Sequence, residues 1–477
     1  MDCVNGIHGS SSPTHVVLFP FMSKGHTIPI LHLARLLLRR GGVAVTVITT
    51  PANRPFIANF LVNTQASIYT IPFAFDIAGI PSGVESTDKL PSMSLFYQFA
   101  VATKSMQSQF EKFLSSSLSH ISFIVSDGFL PWTLDSSSKF GIPRFVCYGM
   151  SSFAMTIIQE IHHNLSQIHH DLTRYSGADE IIFSVPNLPS VKVAVNDFEK
   201  NVLDPDRKGD QADFASEMVS ATSRSHGVIV NSFYELEPVY FDHWNRHHGP
   251  KAWDLGPFFL GEPLKENGLK SPWMDWLDMK LENGESVLYI AFGSQAELSR
   301  EVFEEIQIGL EKSEVNFLWV VRGFEDKKGD GFENRVKNRG MVVREWVEQR
   351  EILEHKSVTG FLSHCGWNSV IESICAKVPI LAWPMMAEQH LNARFITDEI
   401  GVGIRVETCD GSVRGVVKWK GLEKMVRELM EGEKGKEVRK KVEEVGVAAM
   451  KAVADGGGSS WQALNDLIIG TSPKAYS

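Results

Sequence analysis

The run His15-Val16-Val17-Leu18-Phe19-Pro20, with Ser23-Lys24-Gly25-His26 close behind it, sets the tightest bound on what this chain can become. A short apolar run of this kind makes a strand buried on both faces, as in a parallel sheet. Ser23 to His26 reads as a turn, and Pro29 suits the first turn of the helix that follows. Ile30, Leu33, Leu36 and Leu37 give that helix an apolar side, and Gly41-Gly42 stops it. The β-branched stretch Val43 to Thr49 is the next strand. Strand, turn, helix and strand form a βαβ unit, which commits the chain to parallel pairing.

The unit recurs. Phe123-Ile124-Val125-Ser126 reads as a strand ending at Asp127, Ile142 to Cys147 as another, and Val228-Ile229-Val230 as a third. Between Gly256-Pro257 and Ser271-Pro272 the periodicity breaks at Gly261, Pro263, Asn267 and Gly268, as a linker would. A second series follows: Val287 to Ala291 ending at Gly293-Ser294, then Phe317 to Val321, Thr359 to Leu362 and Ile380 to Trp383. The charged stretch Lys424 to Val445 reads as a solvated helix face. Gly456-Gly457-Gly458 is a turn before a last helix, Ser459 to Ile469. The fold class is α/β, with two Rossmann-like domains facing each other across a ligand cleft. The expected boundaries are 1–257 for the first domain, 258–272 for the linker and 273–455 for the second. Residues 456–477 form a C-terminal helix and tail packing back toward the first domain.

Composition narrows the function. A chain of 477 residues is long enough for two such cores. Its formal net charge of −10 excludes a broadly basic nucleic-acid binder. Five cysteines, Cys3, Cys147, Cys365, Cys375 and Cys409, are odd in number and widely spaced, which suits a reducing compartment. The N-terminus lacks a signal-peptide pattern, and no run reaches the ~18 apolar residues of a membrane span. A cytoplasmic monomer with small-molecule partners, no nucleic acid and no membrane span is expected.

The densest chemistry lies between Trp346 and Gln389. A strand runs into His364-Cys365-Gly366, and a helix starts near Asn368-Ser369. A helix N-terminus offers free N–H groups and a positive dipole end, so it binds phosphate. His364, Asn368 and Ser369 add donors there, and Gly366 permits close backbone approach. Glu372, one turn further in, suits ribose hydroxyls. Trp346 offers a flat face for a base, and Glu388 with Gln389 suit sugar hydroxyls. Taken alone, His364 to Ser369 fits an ordinary capped strand–helix crossover equally well.

The whole segment resembles the signature of plant secondary-product UDP-dependent glycosyltransferases, the family 1 enzymes. Trp346 to Gln389 spans the 44 residues of that signature. The resemblance extends to the His26 turn, the Ser126-Asp127 strand end and the Gly293-Ser294 turn. It implies a GT-B-type architecture and the following roles. Trp346 stacks on uracil, with Val347 and Gln349 bordering base and ribose. Glu372 holds the ribose hydroxyls. Ser294, His364, Asn368 and Ser369 hold the diphosphate, and Trp367, Glu388 and Gln389 contact the sugar. Gly25 and Gly366 join the donor site, and Phe129 and Ala387 the acceptor pocket. Val347-Glu348 stands where Ala-Pro is commoner, and Glu388 where Asp is commoner. Lys377 stands where Gly is usual, at a helix end that favours a left-handed residue.

His26 and Asp127 both follow strands of the first domain, at carboxyl ends where sites form. A histidine with a carboxylate partner can take a proton from a hydroxyl near neutral pH. In the resembling family the matching positions are the catalytic base and its partner. The expected function is inverting glucosyl transfer from UDP-glucose, a cosubstrate, to a flavonoid or other phenolic, without metal or cofactor. The rivals are a nicotinamide-dependent oxidoreductase, which lacks its G-x-G-x-x-G here, and a non-catalytic nucleotide-sugar binding protein. Asp204-Pro205-Asp206 is a literal D-x-D, but no strand precedes it and a solvated loop is expected. His162-His163 and His169-His170 are spaced too widely for one ion. Cys365 is expected to be a small buried residue. In the resembling family a Gln at the end of the signature goes mostly with UDP-glucose, so Gln389 implies glucose as donor; His390 directly follows it.

Overall fold

The computed structural model describes residues 14–73, 76–117, 121–173, 181–199, 202–261, 271–293, 295, 298–321 and 331–471. The strands of its first part are β1 (Thr14–Phe19), β2 (Val43–Thr49), β3 (Ser67–Thr70), β4 (Phe123–Asp127) and β5 (Arg144–Tyr148). A hairpin of β6 (Ile182–Val185) and β7 (Leu188–Ala194) follows, then β8 (Gly227–Val230) and β9 (Ala252–Asp254). The second part holds β10 (Val287–Ala291), β11 (Asn316–Val320), β12 (Gly340–Val343), β13 (Val358–Ser363), β14 (Ile380–Ala382) and β15 (Gly403–Arg405).

Two larger sheets result, ordered β3-β2-β1-β4-β5-β8-β9 and β12-β11-β10-β13-β14-β15. Pairing is parallel from β3 through β5 and throughout the second sheet. In each sheet the strand order reverses beside the first strand. Between β1 and β4, Phe19 stands opposite Ser126; between β10 and β13, Ala291 stands opposite Ser363. Ligands of doubly wound sheets bind at such reversals, outside the carboxyl ends. The chain divides into two compact units: Met1–Cys147 with Phe214–Val228 and Leu464–Ser477, and Tyr148–Asp213 with Ile229–Ala463.

The long apolar strands lie where the sequence places them, and the short ones do not announce themselves. β3 carries alternating exposed and half-buried residues, so it lacks the apolar run that marks a buried strand. β9 and β15 are three residues each, and Gly403 in β15 sits where a Cβ would lie 2.7 Å from the Ile380 carbonyl oxygen. Two helix expectations need correction. The first helix runs Lys24–Arg40, so Pro29 lies inside it rather than in its first turn, and His26 is already helical. Ser23 starts it: its carbonyl accepts from the N–H of His26 at 3.0 Å and of Thr27 at 2.7 Å. The charged stretch Lys424 to Val445 is two helices, Trp419–Glu431 and Glu433–Ala452, broken at Gly432 with ψ 173°. Their inner faces bury Leu422, Val426, Leu429 and Val442, leaving only the outer faces to solvent. The last helix is Ser459–Gly470, and Arg40 Nε donates to Asn465 Oδ1 at 2.9 Å.

Candidate active site

In the first unit, β1 delivers the chain to the helix that bears His26, and β4 ends in Asp127. His26 Nδ1 lies 2.9 Å from Asp127 Oδ2. The other carboxylate oxygen, Oδ1, accepts the Phe129 N–H at 2.9 Å. Asp127 is 1% exposed, whereas the His26 side chain is 21% exposed. A buried carboxylate thus fixes the ring so that Nδ1 faces inward and Nε2 faces away, the tautomer a general base needs. Gly25 is exposed at the second position of the same helix.

Aromatic rings surround the imidazole. Phe21 and Phe129 have centroids 5.4 and 5.0 Å from it, both edge-on. Phe129 also packs on Phe96 and Phe214, at 5.5 and 5.9 Å. Behind Asp127 lies a buried arginine that sequence reasoning missed. Arg144 Nε donates to Ser126 Oγ at 2.7 Å and Thr133 Oγ1 at 3.1 Å, and Nη1 to Ser225 Oγ at 2.6 Å. It clamps β4 where the aspartate emerges.

In the second unit the turns after β10 and β13 meet. The His364 ring fills the space between two glycines: a Cβ on Gly293 would lie 2.6 Å from its Nε2, and one on Gly366 2.5 Å. Both glycines are therefore steric requirements, and Gly293 also has φ +78°. Burial pulls the His364 pKa down to about 4, against a hydrogen bond with the Ala291 backbone, so the ring is neutral at pH 7. Its Nδ1 is buried with no hydrogen-bond partner among the described residues. Ser294 lies outside the described residues. Gly366 caps the helix Trp367–Cys375, and its carbonyl accepts the Val370 N–H at 3.1 Å, the first bond of the helical ladder. Cys365 is fully buried at φ +64°, and burial pushes its thiol up to about 12, which leaves it unreactive at neutral pH.

Gln349 gathers the ribose candidates. Its Nε2 donates to Ser369 Oγ at 3.0 Å and Glu372 Oε2 at 2.7 Å, while its Oε1 accepts from Tyr289 at 3.3 Å. Desolvation pushes the Glu372 carboxyl up to about 7, opposed by the Gln349 hydrogen bond. Trp346, three residues before Gln349, is 45% exposed, and Val347 is buried. Trp367 is the first residue of the helix Trp367–Cys375. Its indole is 1% exposed and donates to the Asn231 carbonyl at 2.9 Å, so its side chain belongs to the core.

Gln389 Oε1 accepts from the N–H of both Met385 and Met386 at 3.0 Å, which shapes the loop before it and leaves its amide N–H₂ as donor. Glu388 is steered by Asn392, whose Nδ2 donates to Glu388 Oε1 at 3.4 Å and to the Cys365 carbonyl at 3.0 Å. Sequence reasoning missed Asn392; its i+4 spacing from Glu388 was the available signal. His390 is buried and takes a hydrogen bond from Arg405 at 3.2 Å, which turns it to another task. Ala387 is exposed at φ +51°, its N–H on Glu199 Oε1 at 3.1 Å. In the D-x-D, Asp204 Oδ1 accepts the Asp206 N–H at 2.9 Å in a loop, a local turn. His163, His169 and His170 are exposed and His162 half-buried. Among the described residues, the group with metal-ligand proximity is instead Glu160, His243 and His248.

Comparison with known proteins fits this architecture. Residues 270–440 match the family model described as UDP-glucoronosyl and UDP-glucosyl transferase. The chain is 50% identical over 465 residues to UDP-glycosyltransferase 90A1 of Arabidopsis thaliana, covering 95% of each. It is 36% identical over 485 residues to the anthocyanin 3'-O-beta-glucosyltransferase of Gentiana triflora, covering 95% of this chain and 98% of the relative. The crystal structure of Glycyrrhiza uralensis UGT73P12 complexed with glycyrrhetinic acid 3-O-monoglucuronide matches with a TM-score of 0.83 at 30% identity, covering 96% and 95%. Two parallel-sheet α/β domains with that likeness make this protein a glycosyltransferase of GT-B fold. Within that class the chain belongs to the plant family 1 UDP-glycosyltransferases. No helix of the described residues is long and apolar enough to cross a membrane.

Proposed function

We propose that the enzyme transfers glucose from UDP-glucose to a phenolic hydroxyl, a flavonoid being the first choice, with inversion at the anomeric carbon. The His26–Asp127 pair within its ring of phenylalanines carries the reading. The acceptor oxygen attacks the anomeric carbon while its proton passes to His26 Nε2. The bond from that carbon to the diphosphate oxygen breaks, and UDP leaves with the electron pair. Asp127 stabilises the imidazolium that forms. Phe96 and Phe129, both half-buried, suit a flat aromatic acceptor, because edge-on ring contacts add to apolar burial. The relative from Gentiana triflora is named for an anthocyanin acceptor and a glucosyl donor.

For the donor, Trp346 suits uracil, and Gln349 with Glu372 the ribose. The N-terminus of Trp367–Cys375 suits the departing diphosphate, whose charge it can stabilise without a metal. A cytoplasmic setting agrees with free cysteines at 147, 365, 375 and 409. A mass-spectrometric screen of phenolic acceptors with UDP-glucose, with and without excess EDTA, tests the reading. Glucosides of flavonols in both arms are expected. Turnover confined to non-phenolic acceptors such as glycyrrhetinic acid, or lost in EDTA and restored by Mn²⁺, overturns the acceptor or the metal-free part respectively.

A further inference from the structure

Glu160 sits near the end of the helix Ser152–His163, His243 in the helix Pro238–His247, and His248 at the latter's C-cap. His243 Nε2 lies 2.6 Å and His248 Nε2 2.8 Å from the same oxygen, Glu160 Oε1. The three side chains are 1%, 8% and 4% exposed, in the order Glu160, His243, His248. The second carboxylate oxygen is held by Asn187 Nδ2 at 2.9 Å and Asn164 Nδ2 at 3.3 Å, which turns Oε1 toward the histidines.

Hydrogen bonding explains only half of this arrangement. The His243 contact is a hydrogen bond. The His248 contact is close but misaligned, and neither ring nitrogen of this buried imidazole has a hydrogen-bond partner among the described residues. An unsatisfied buried polar group is costly, and an imidazole lone pair is equally a metal ligand. We propose that Glu160, His243 and His248 bind one Zn²⁺, which ties the two helices together. Two imidazoles and a carboxylate are a familiar zinc donor set, with bonds of ~2.0–2.2 Å. The three ligand atoms already lie within 4.8 Å of one another. Tetrahedral binding needs them ~3.3 Å apart, so small side-chain rotations suffice. Asn187 and Asn164 are the outer partners that such sites use to orient a carboxylate. The exposed rings of His163, 5.3 Å from His248, and His247, 4.6 Å from His243, mark the solvent side and the way in. None of these residues belongs to the proposed transfer chemistry, so the metal's effect falls on stability.

The test is calorimetric titration of ZnCl₂ into untagged, EDTA-stripped, dialysed protein, with melting curves in parallel. About one equivalent should bind and raise Tm. His248→Asn and Glu160→Gln should weaken binding at least ~100-fold, Asn187→Gly by ~10–100-fold, and His163→Ala should leave it unchanged. Far-UV circular dichroism checks that each variant folds. Zinc binding by folded His248→Asn equal to that of the parent overturns the site, as does the absence of a saturable equivalent in the parent. If the variants do not fold, Co²⁺ bound to the parent decides: tetrahedral d–d bands support the site, and an octahedral aquo-type spectrum overturns it.

Discussion

Gln349 Nε2 lies 2.7 Å from Glu372 Oε2, so the first residue of the helix Gln349–Leu353 is tied through its side-chain amide to the sixth residue of the helix Trp367–Cys375. That amide opposes the desolvation that lifts the carboxyl to about 7, but does not cancel it. Hydroxyl donors from a ribose would add to it and favour the carboxylate further. Binding therefore prefers the deprotonated form, and UDP affinity should fall as pH drops below about 7, by up to ~10-fold per unit. Calorimetry from pH 5 to 8 with Glu372→Gln as reference isolates this from titration of UDP itself. Parallel curves for the two proteins would remove Glu372 from the ribose.

The base is tested by kinetics. His26→Ala should lower kcat by ~10²–10⁴ while UDP affinity stays near that of the parent. Asp127→Asn should hurt less with an acidic trichlorophenol than with a flavonol, because an ionised acceptor needs less help. Near-normal flavonol turnover by His26→Ala would dismiss the dyad.

Donor choice tests Gln389. A site that pairs the equatorial 4-hydroxyl of glucose leaves a polar group unpaired when that hydroxyl turns axial. This costs ~1–3 kcal/mol, or roughly tenfold to a hundredfold in kcat/KM. The expected order is UDP-glucose well above UDP-galactose and UDP-glucuronate with one fixed acceptor. Equal values for glucose and galactose would show that Gln389 only shapes its loop through Met385 and Met386.

Lys377 adopts φ +62° just beyond the helix Trp367–Cys375. Its ammonium reaches Glu443 Oε1 at 2.6 Å, a contact at the surface worth little. Lys377→Gly relieves the left-handed strain and should stabilise by ~1 kcal/mol less the small ion-pair loss, with kcat unchanged. Denaturant melts check it; a loss of stability would mean that the pair with Glu443 outweighs the backbone.

What the sequence revealed follows physical range. Strands such as Val43–Thr49 and Val287–Ala291 state their burial in consecutive residues and are read directly. So is the shared location of His26 and Asp127, because both follow strands and parallel strands end on one edge. The edge strand β3 and the three-residue β15 depend on neighbours and are silent in isolation. That the indole N–H of Trp367 goes to Asn231, 136 residues away, is also invisible from its neighbours in sequence. Glu160, His243 and His248 were hidden likewise, since histidines adjacent in sequence draw the eye and these converge from two helices.

The placement of His364 between Gly293 and Gly366 reaches beyond packing. A single methyl group at either glycine collides with the ring, and a smaller residue at 364 would leave both glycines facing an unfilled space. No one of the three positions can change profitably by itself. Two loops separated by some seventy residues are thus locked into a shared fate: a side chain added at either glycine has to be answered by a change at the histidine on the other side of the contact.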